Sequence, residues 1–183
     1  MYNAQVNFIR NMLQSYSISP RYTLVGAVMN GKTPLLRMRF GDAVNYKTTI
    51  SLLENARNQG DGNDLDVAFQ IARTRMFSEE NGARANTPKV LVVFVNDKVS
   101  GSLKDLGQEA KALRQDGVKI ILVGYGENVD PSEVQDLVDI WFFPDTLPEM
   151  SLLLYPVIMA TYAGKFKLNH SISMIVFLKL RPI

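Results

Sequence analysis

The run Lys89-Val90-Leu91-Val92-Val93-Phe94-Val95 restricts this chain more than any other stretch. It is bounded by Pro88 on one side and by Asn96-Asp97 on the other, and no polar residue interrupts it after Lys89. A half-exposed strand alternates apolar and polar residues, whereas a strand covered on both faces is apolar throughout. The run therefore predicts a central strand of a parallel sheet with helices on both sides. Downstream, Leu103, Leu106, Ala110 and Leu113 recur at helical spacing, Ser102 and Asp105 resemble a capping box, and Gly117 stands where the helix stops. Val118 to Val123 is a second apolar strand. Asp130-Pro131-Ser132-Glu133 combines a cap, a proline at the first helical position and an acidic residue, which predicts a helix through Val134, Leu137 and Val138. A short strand at Ile140 to Phe143 follows, then a helix from about Leu147 with Pro156 as its kink or end. Strands and helices that alternate in this way call for right-handed crossovers and a three-layer α/β fold.

The first half of the chain supplies the rest of the sheet. Val6, Ile9 and Leu13, flanked by Phe8 and Met12, predict a first helix from Asn3 that ends before Ser17, Ser19 and Pro20. Tyr22 to Met29 is rich in strand formers and closes at Asn30-Gly31, after which Leu36, Met38 and Phe40 alternate with Arg37 and Arg39. That pattern predicts an antiparallel pair whose second strand lies half-exposed at an edge. Tyr46, Ile50, Leu53 and Ala56 predict another helix, and Leu65, Ala68, Phe69, Ala72 and Met76 a third. With 183 residues one core is the expectation. The fold class is thus α/β, a mostly parallel doubly wound sheet with one antiparallel edge strand.

Charge and rare residues remove whole classes of function. Lys plus Arg number 20 against 18 for Asp plus Glu, spread without blocks, so the basic surface that holds nucleic acid is missing. Zero cysteines exclude disulfides, thiolate metal sites and cysteine nucleophiles, and a single histidine, His170, excludes a multi-histidine metal centre. No signal peptide is visible at Met1-Tyr2-Asn3-Ala4, and the apolar run Ile172 to Leu178 is far shorter than the roughly 20 residues a membrane-spanning helix needs. Gly124-Tyr125-Gly126 lacks the third glycine of a dinucleotide fingerprint, Val129 standing in its place. Asp61, Asn63, Asp64 and Asp66 brush against a calcium-loop pattern but lack its sixth-position glycine and its closing glutamate. No pairing of nucleophile and base is present, so an enzyme is not expected. What remains is Asp97, which follows the most buried strand at the carboxyl edge, where open α/β sheets carry their sites.

Phe77-Ser78-Glu79-Glu80-Asn81-Gly82-Ala83-Arg84, Pro88 to Asp97, Ala110 to Ile120 and Val123-Gly124-Tyr125-Gly126 together resemble a von Willebrand factor type A domain. The likeness is to the extracellular-matrix subgroup of collagen type VI, matrilins and cochlin, and it covers about Asn3 to Ala163. It implies a domain over 1–163 with a C-terminal tail over 164–183, and a secreted protein-binding module within a longer protein. The partner it implies is a matrix component such as collagen or a cell-surface receptor, with no nucleic acid and no membrane span. An intracellular scaffold module of the same family is the alternative.

Many members of the family hold a divalent ion at a metal-ion-dependent adhesion site. Its ligands are an aspartate-x-serine-x-serine stretch after the first strand, a loop threonine, and an aspartate after the central strand. Here the resemblance puts Asn63 at the threonine and Asp97 at the last aspartate, with Asn96 where threonine is common, and the first strand and its loop find no match before the helix at Asn3. Asp97 and Asn63 are thus residual metal positions at most, and the expectation is no cofactor, or Mg2+ or Mn2+ held weakly, since a hard ion wants roughly six oxygens. The slot of the missing strand has a candidate in the tail: Ser171 to Leu178 has strand composition, and it either enters the sheet parallel to its neighbours, between the strands at Tyr22 and Lys89, or is an unrelated, loosely packed tail or the product of an incorrect gene model. Asn169-His170-Ser171 is also a glycosylation acceptor sequence, and a glycan there would oppose that entry.

Overall fold

A computed structural model describes residues 2–31, 33–56, 63–125, 128–142, 156, 158 and 173–179. It contains a six-stranded sheet in the order β2-β1-β6-β3-β4-β5. The strands are β1 Leu24–Asn30, β2 Leu35–Met38, β3 Lys89–Val95, β4 Val118–Gly124, β5 Ile140–Phe142 and β6 Ser173–Lys179. All pairings are parallel except β1 with β2, which form the expected antiparallel edge pair with a register irregularity between Ala27 and Val28.

The apolar run is buried throughout because it feeds two cores. Val90, Val92 and Phe94 pack with Phe8, Ile9, Met12 and Leu13 of α1 (Tyr2–Leu13) and with Ile50 and Leu53 of α2 (Tyr46–Glu54). Leu91, Val93 and Val95 face the other way, against Leu65, Ala68 and Phe69 of α3 (Leu65–Ile71) and Leu106, Ala110 and Leu113 of α4 (Leu103–Gln115). Side chains of a strand alternate between faces, so a strand between two helical layers has no position left for a polar residue. Phe94 meets the Phe8 ring edge-on at 5.2 Å between centroids.

Of the two readings of the tail, strand entry holds for Ser173–Lys179. β6 pairs in parallel with β1 from Leu24↔Ser173 to Asn30↔Lys179, and with β3 from Lys89↔Ser173 to Val93↔Phe177. It comes from the segment 164–183, outside the span that carries the family resemblance. β1 and β3 make no ladder with one another.

The helical layers follow their caps. Asn45 Oδ1 accepts from Thr48 N at the start of α2, and Ser102 Oγ from Asp105 N at the start of α4. Gly117 takes a left-handed φ of +78° just beyond α4, a conformation that costs glycine nothing. The third helix changes at Ala72 to a five-residue π turn, Ala72–Met76, pinned to α4 by a two-point ion pair of Arg73 with Glu109 at 2.7 and 3.0 Å. That hydrogen bond raises the Arg73 pKa from its ordinary value.

One expected helix is corrected. Residues 131–137 form two single 3₁₀ turns, Pro131–Glu133 and Gln135–Leu137, broken where Val134 adopts φ −132°. The segment is too short to hold a helix by its own hydrogen bonds, and its packing and strand entry decide its path. Val134 and Val138 are buried in the core, and Asp139 N donates to Ile120 O at 2.9 Å to start the β4–β5 ladder. Of the helix expected from Leu147, only positions 156 and 158 lie within the described residues; both are helical, and Ile158 is buried in the α1–α2 core. His170, Asn169 and Ser171 lie outside them.

Replacing Phe94 with Ala removes the ring from a fully buried site, and an unfolding free energy lower by about 3–5 kcal/mol is expected from urea denaturation.

Candidate functional site

The carboxyl ends of β1, β3 and β4 and the amino ends of α3 and α4 converge on one edge of the sheet, and Asn63 ties them together. Its side chain is 1% exposed and makes three hydrogen bonds. Oδ1 accepts from Asn30 Nδ2 at 2.5 Å, and Nδ2 donates to the backbone carbonyls of Asp97 and Lys98, each at 3.2 Å. Its backbone joins in: Asn63 N donates to Ser100 Oγ at 2.6 Å and Asn63 O accepts from Ser100 N at 3.1 Å. One residue thus links the end of β1, the entry to α3 and the loop after β3.

The acids of this edge fasten loops. Ser100 Oγ donates to Asp64 Oδ1 at 2.6 Å, and Ser102 N donates to Asp66 Oδ2 at 3.2 Å. Gly101 sits at φ +91°, and a Cβ there would collide with the Asp66 carboxylate, so only glycine lets the chain pass this close. Asp97, half-buried, accepts from Lys98 N on Oδ1 at 2.9 Å. Glu133 Oε2 accepts from Val99 N at 3.4 Å. Asp130 caps the first 3₁₀ turn, accepting from Ser132 N at 2.9 Å and Ser132 Oγ at 2.7 Å. Those bonds hold its carboxyl below the usual range, with Lys98 adding to the effect.

On the α1 side of the same edge, Tyr125 N donates to Val95 O at 2.9 Å, and Gln5 Nε2 donates to the Tyr125 hydroxyl. Asn96 is 2% exposed and, among the described residues, neither its amide oxygen nor its amide nitrogen finds a hydrogen-bond partner; the same holds for Gln5 Oε1 and Asn30 Oδ1. Buried amides of this kind hydrogen-bond with neutral groups or water and carry no charge of their own.

The two residues proposed from the family resemblance are therefore brought together, Asn63 against the carbonyl of Asp97. Their donor set does not fit a tightly held divalent ion. The Asn63 amide is committed on both of its atoms to protein partners, and among the described residues no group of three or more acidic or histidine side chains is placed to hold a metal. A hard cation seeks about six oxygens, several of them charged. Sequence reasoning missed Asn30 and Ser100. Asn30 reads as the first residue of a turn, and nothing in the spacing announces that its amide reaches across to residue 63. Asp61, Gly60 and Gly126 lie outside the described residues.

Between α3 and α4 an open groove of about 290 Å3 is lined by Asp66, Val67, Gln70, Asp105, Gln108 and Glu109. Of the exposed large apolar residues, Val67 belongs to this lining and Leu103 opens α4.

Residues 2–140, more than half of the chain, match the sequence model of the von Willebrand factor type A domain, and the chain belongs to that family. Vitrin from Mus musculus is 23% identical over 138 residues, which cover 75% of this chain and 21% of vitrin. Cochlin from Bos taurus is 23% identical over 141 residues, 77% of this chain and 25% of cochlin. Matrilin-1 from Homo sapiens is 23% identical over 133 residues, 71% of this chain and 26% of matrilin-1. These relatives fall in the extracellular-matrix subgroup, and the chain spans about a fifth to a quarter of their length. Among solved structures, proximal thread matrix protein 1 from the mussel byssus, with a zinc occupied MIDAS motif, superposes with a TM-score of 0.77 at 16% identity, over 86% of this chain and 42% of that one. The manganese-loaded Plasmodium vivax TRAP protein gives 0.70 at 14% identity, over 86% and 68%. Both share the three-layer α/β fold.

Two outcomes are expected at this edge. Asn63→Ala strands the Asn30 amide and two backbone carbonyls, and should lower the unfolding free energy by about 1–3 kcal/mol in chemical denaturation. Because the folded-state pKa of Asp130 lies below its unfolded value, its contribution to stability is present above the ordinary carboxylate range and is lost as pH falls through the folded pKa. Ser132→Ala should move the Asp130 titration back up toward the ordinary value, as read by carboxyl NMR.

Proposed function

We propose that this chain is a non-catalytic protein-binding module of a secreted adhesion or extracellular-matrix protein, whose carboxyl edge is assembled by hydrogen bonds instead of a tightly bound ion. The observation that carries the reading is the three-point hydrogen bonding of the Asn63 amide to Asn30, Asp97 and Lys98. Two neutral amides and two backbone carbonyls hold together three loops without any charge to neutralise. The adhesion site is degenerate in this reading. Asp97 and Asn63 keep its residual positions, and Mg2+ or Mn2+ meets them weakly at most.

The partner is a protein, of the class of a matrix component such as collagen or a cell-surface receptor, and its recognition does not depend on divalent ions. No pairing of nucleophile and base is present among the described residues of the edge, where Asp64, Asp66, Asp97, Asp130 and Glu133 all accept backbone or hydroxyl hydrogen bonds. Similarity to vitrin, cochlin and matrilin-1 supports the extracellular setting.

Calorimetric titration of the full chain with MgCl2 and with MnCl2, beside Asp97→Ala, tests this. The expected result is no saturable binding below millimolar metal in either protein, and an unchanged melting temperature on adding EDTA. Saturable binding at lower concentration that disappears in Asp97→Ala would overturn it and restore a working adhesion site.

A further inference from the structure

The strand between β1 and β3 is the last of the described strands in sequence and reaches its slot from far away in the chain. The 30 residues 143–172 separate the end of β5 from the start of β6. Within that span Ile158 is buried in the core shared with α1 and α2, which leaves the 14 residues 159–172 between that anchor and β6. Fourteen residues reach at most about 50 Å when extended. Six strands spaced by about 4.8 Å make a sheet only about 24 Å across, so the reach exceeds it.

The slot itself is demanding. Without β6 the sheet divides into β2–β1 and β3–β4–β5, and the facing edges of β1 and β3 lose every hydrogen bond given by the registers Leu24↔Ser173 to Asn30↔Lys179 and Lys89↔Ser173 to Val93↔Phe177. Two open edges of adjacent central strands are strong templates for an added strand. The slot takes a seven-residue parallel strand, and an identical segment from another molecule meets the same register and the same partners.

We propose that the slot between β1 and β3 accepts Ser173–Lys179 from a second copy of this chain as well as from its own, so that two copies exchange their closing strands reciprocally. Such exchange adds no new interface and needs only that another copy be as close as the chain's own tail. A short tether gives the chain's own strand an effective concentration in the millimolar range, so the second copy competes only when protein is concentrated or modules are held side by side. Because the strand is central, exchanging it means opening the sheet. The choice is therefore made during folding and persists afterwards.

The test refolds the full chain from denaturant at micromolar and at millimolar concentration, dilutes both to the same concentration, and measures mass by light scattering after size exclusion. Monomer from the dilute sample and a dimer fraction from the concentrated one, stable for hours after dilution, are expected. Full-length Ile175→Pro separates exchange from ordinary association, since proline removes a ladder N–H from a central strand. Alone it should lack a cooperative thermal transition, and it should regain one when refolded with excess synthetic peptide covering residues 171–180, but not with a scrambled peptide. Monomer at both concentrations, a variant that folds unaided like the parent, or a variant that the peptide does not restore would each overturn the proposal.

Discussion

The two ladders of β6, to β1 on one side and to β3 on the other, hold the halves of this sheet together. The strand pair β2–β1 and the triplet β3–β4–β5 have no ladder of their own between them, so the backbone groups facing the gap depend on β6 for hydrogen bonds. Unpaired backbone donors and acceptors inside a core cost as much as lost hydrogen bonds, which makes this strand a condition for the fold and not an ornament on it. The consequence reaches the carboxyl edge. Asn30 ends β1 and Asn96 follows β3, so the distance between the loops they lead into is set by the strand between them.

Asn63 depends on that spacing. Its amide spans Asn30 on one side and the carbonyls of Asp97 and Lys98 on the other, and Ser100 doubles the connection through its hydroxyl and its amide. The same loops carry Asp64 and Asp66, whose carboxylates are engaged by Ser100 and by the amide of Ser102. Solved structures with this fold hold zinc or manganese. Among the described residues of this chain, neutral amides cross-link the loops of that edge and acids fasten them.

Much of the fold is legible in the sequence because its signals are local or strongly periodic. The Lys89–Val95 run, the helices of α1, α2 and α4, and the cap at Ser102 and the stop at Gly117 each rest on residues within a few positions of one another. The segment 130–138 is less legible. Its capping signals are real, and Asp130 does cap, but the helix they start yields to the pull of Asp139 into the β4–β5 ladder. The change of α3 into a π turn at Ala72 has no sequence mark either.

The candidate site divides in the same way. Asp97 is placed by the rule that sites lie beyond the carboxyl ends of parallel strands, and Asn63 by likeness to a family pattern, and the two do meet. The role of Asn63 is another matter, because whether an amide ligates an ion or cross-links loops depends on which atoms from distant segments face it. The sequence by itself determined the layers, the strand that lies between two helical faces, and the absence of cysteine chemistry, since each follows from residue type and short-range spacing. Only the tertiary structure decided that Asn30 and Asn63, far apart in the chain, share a hydrogen bond, and that Ser173–Lys179, which the sequence leaves as either a strand or a loose tail, lies at the middle of the sheet. Both are matters of long-range pairing, in which the partner is chosen by what the rest of the fold leaves unpaired.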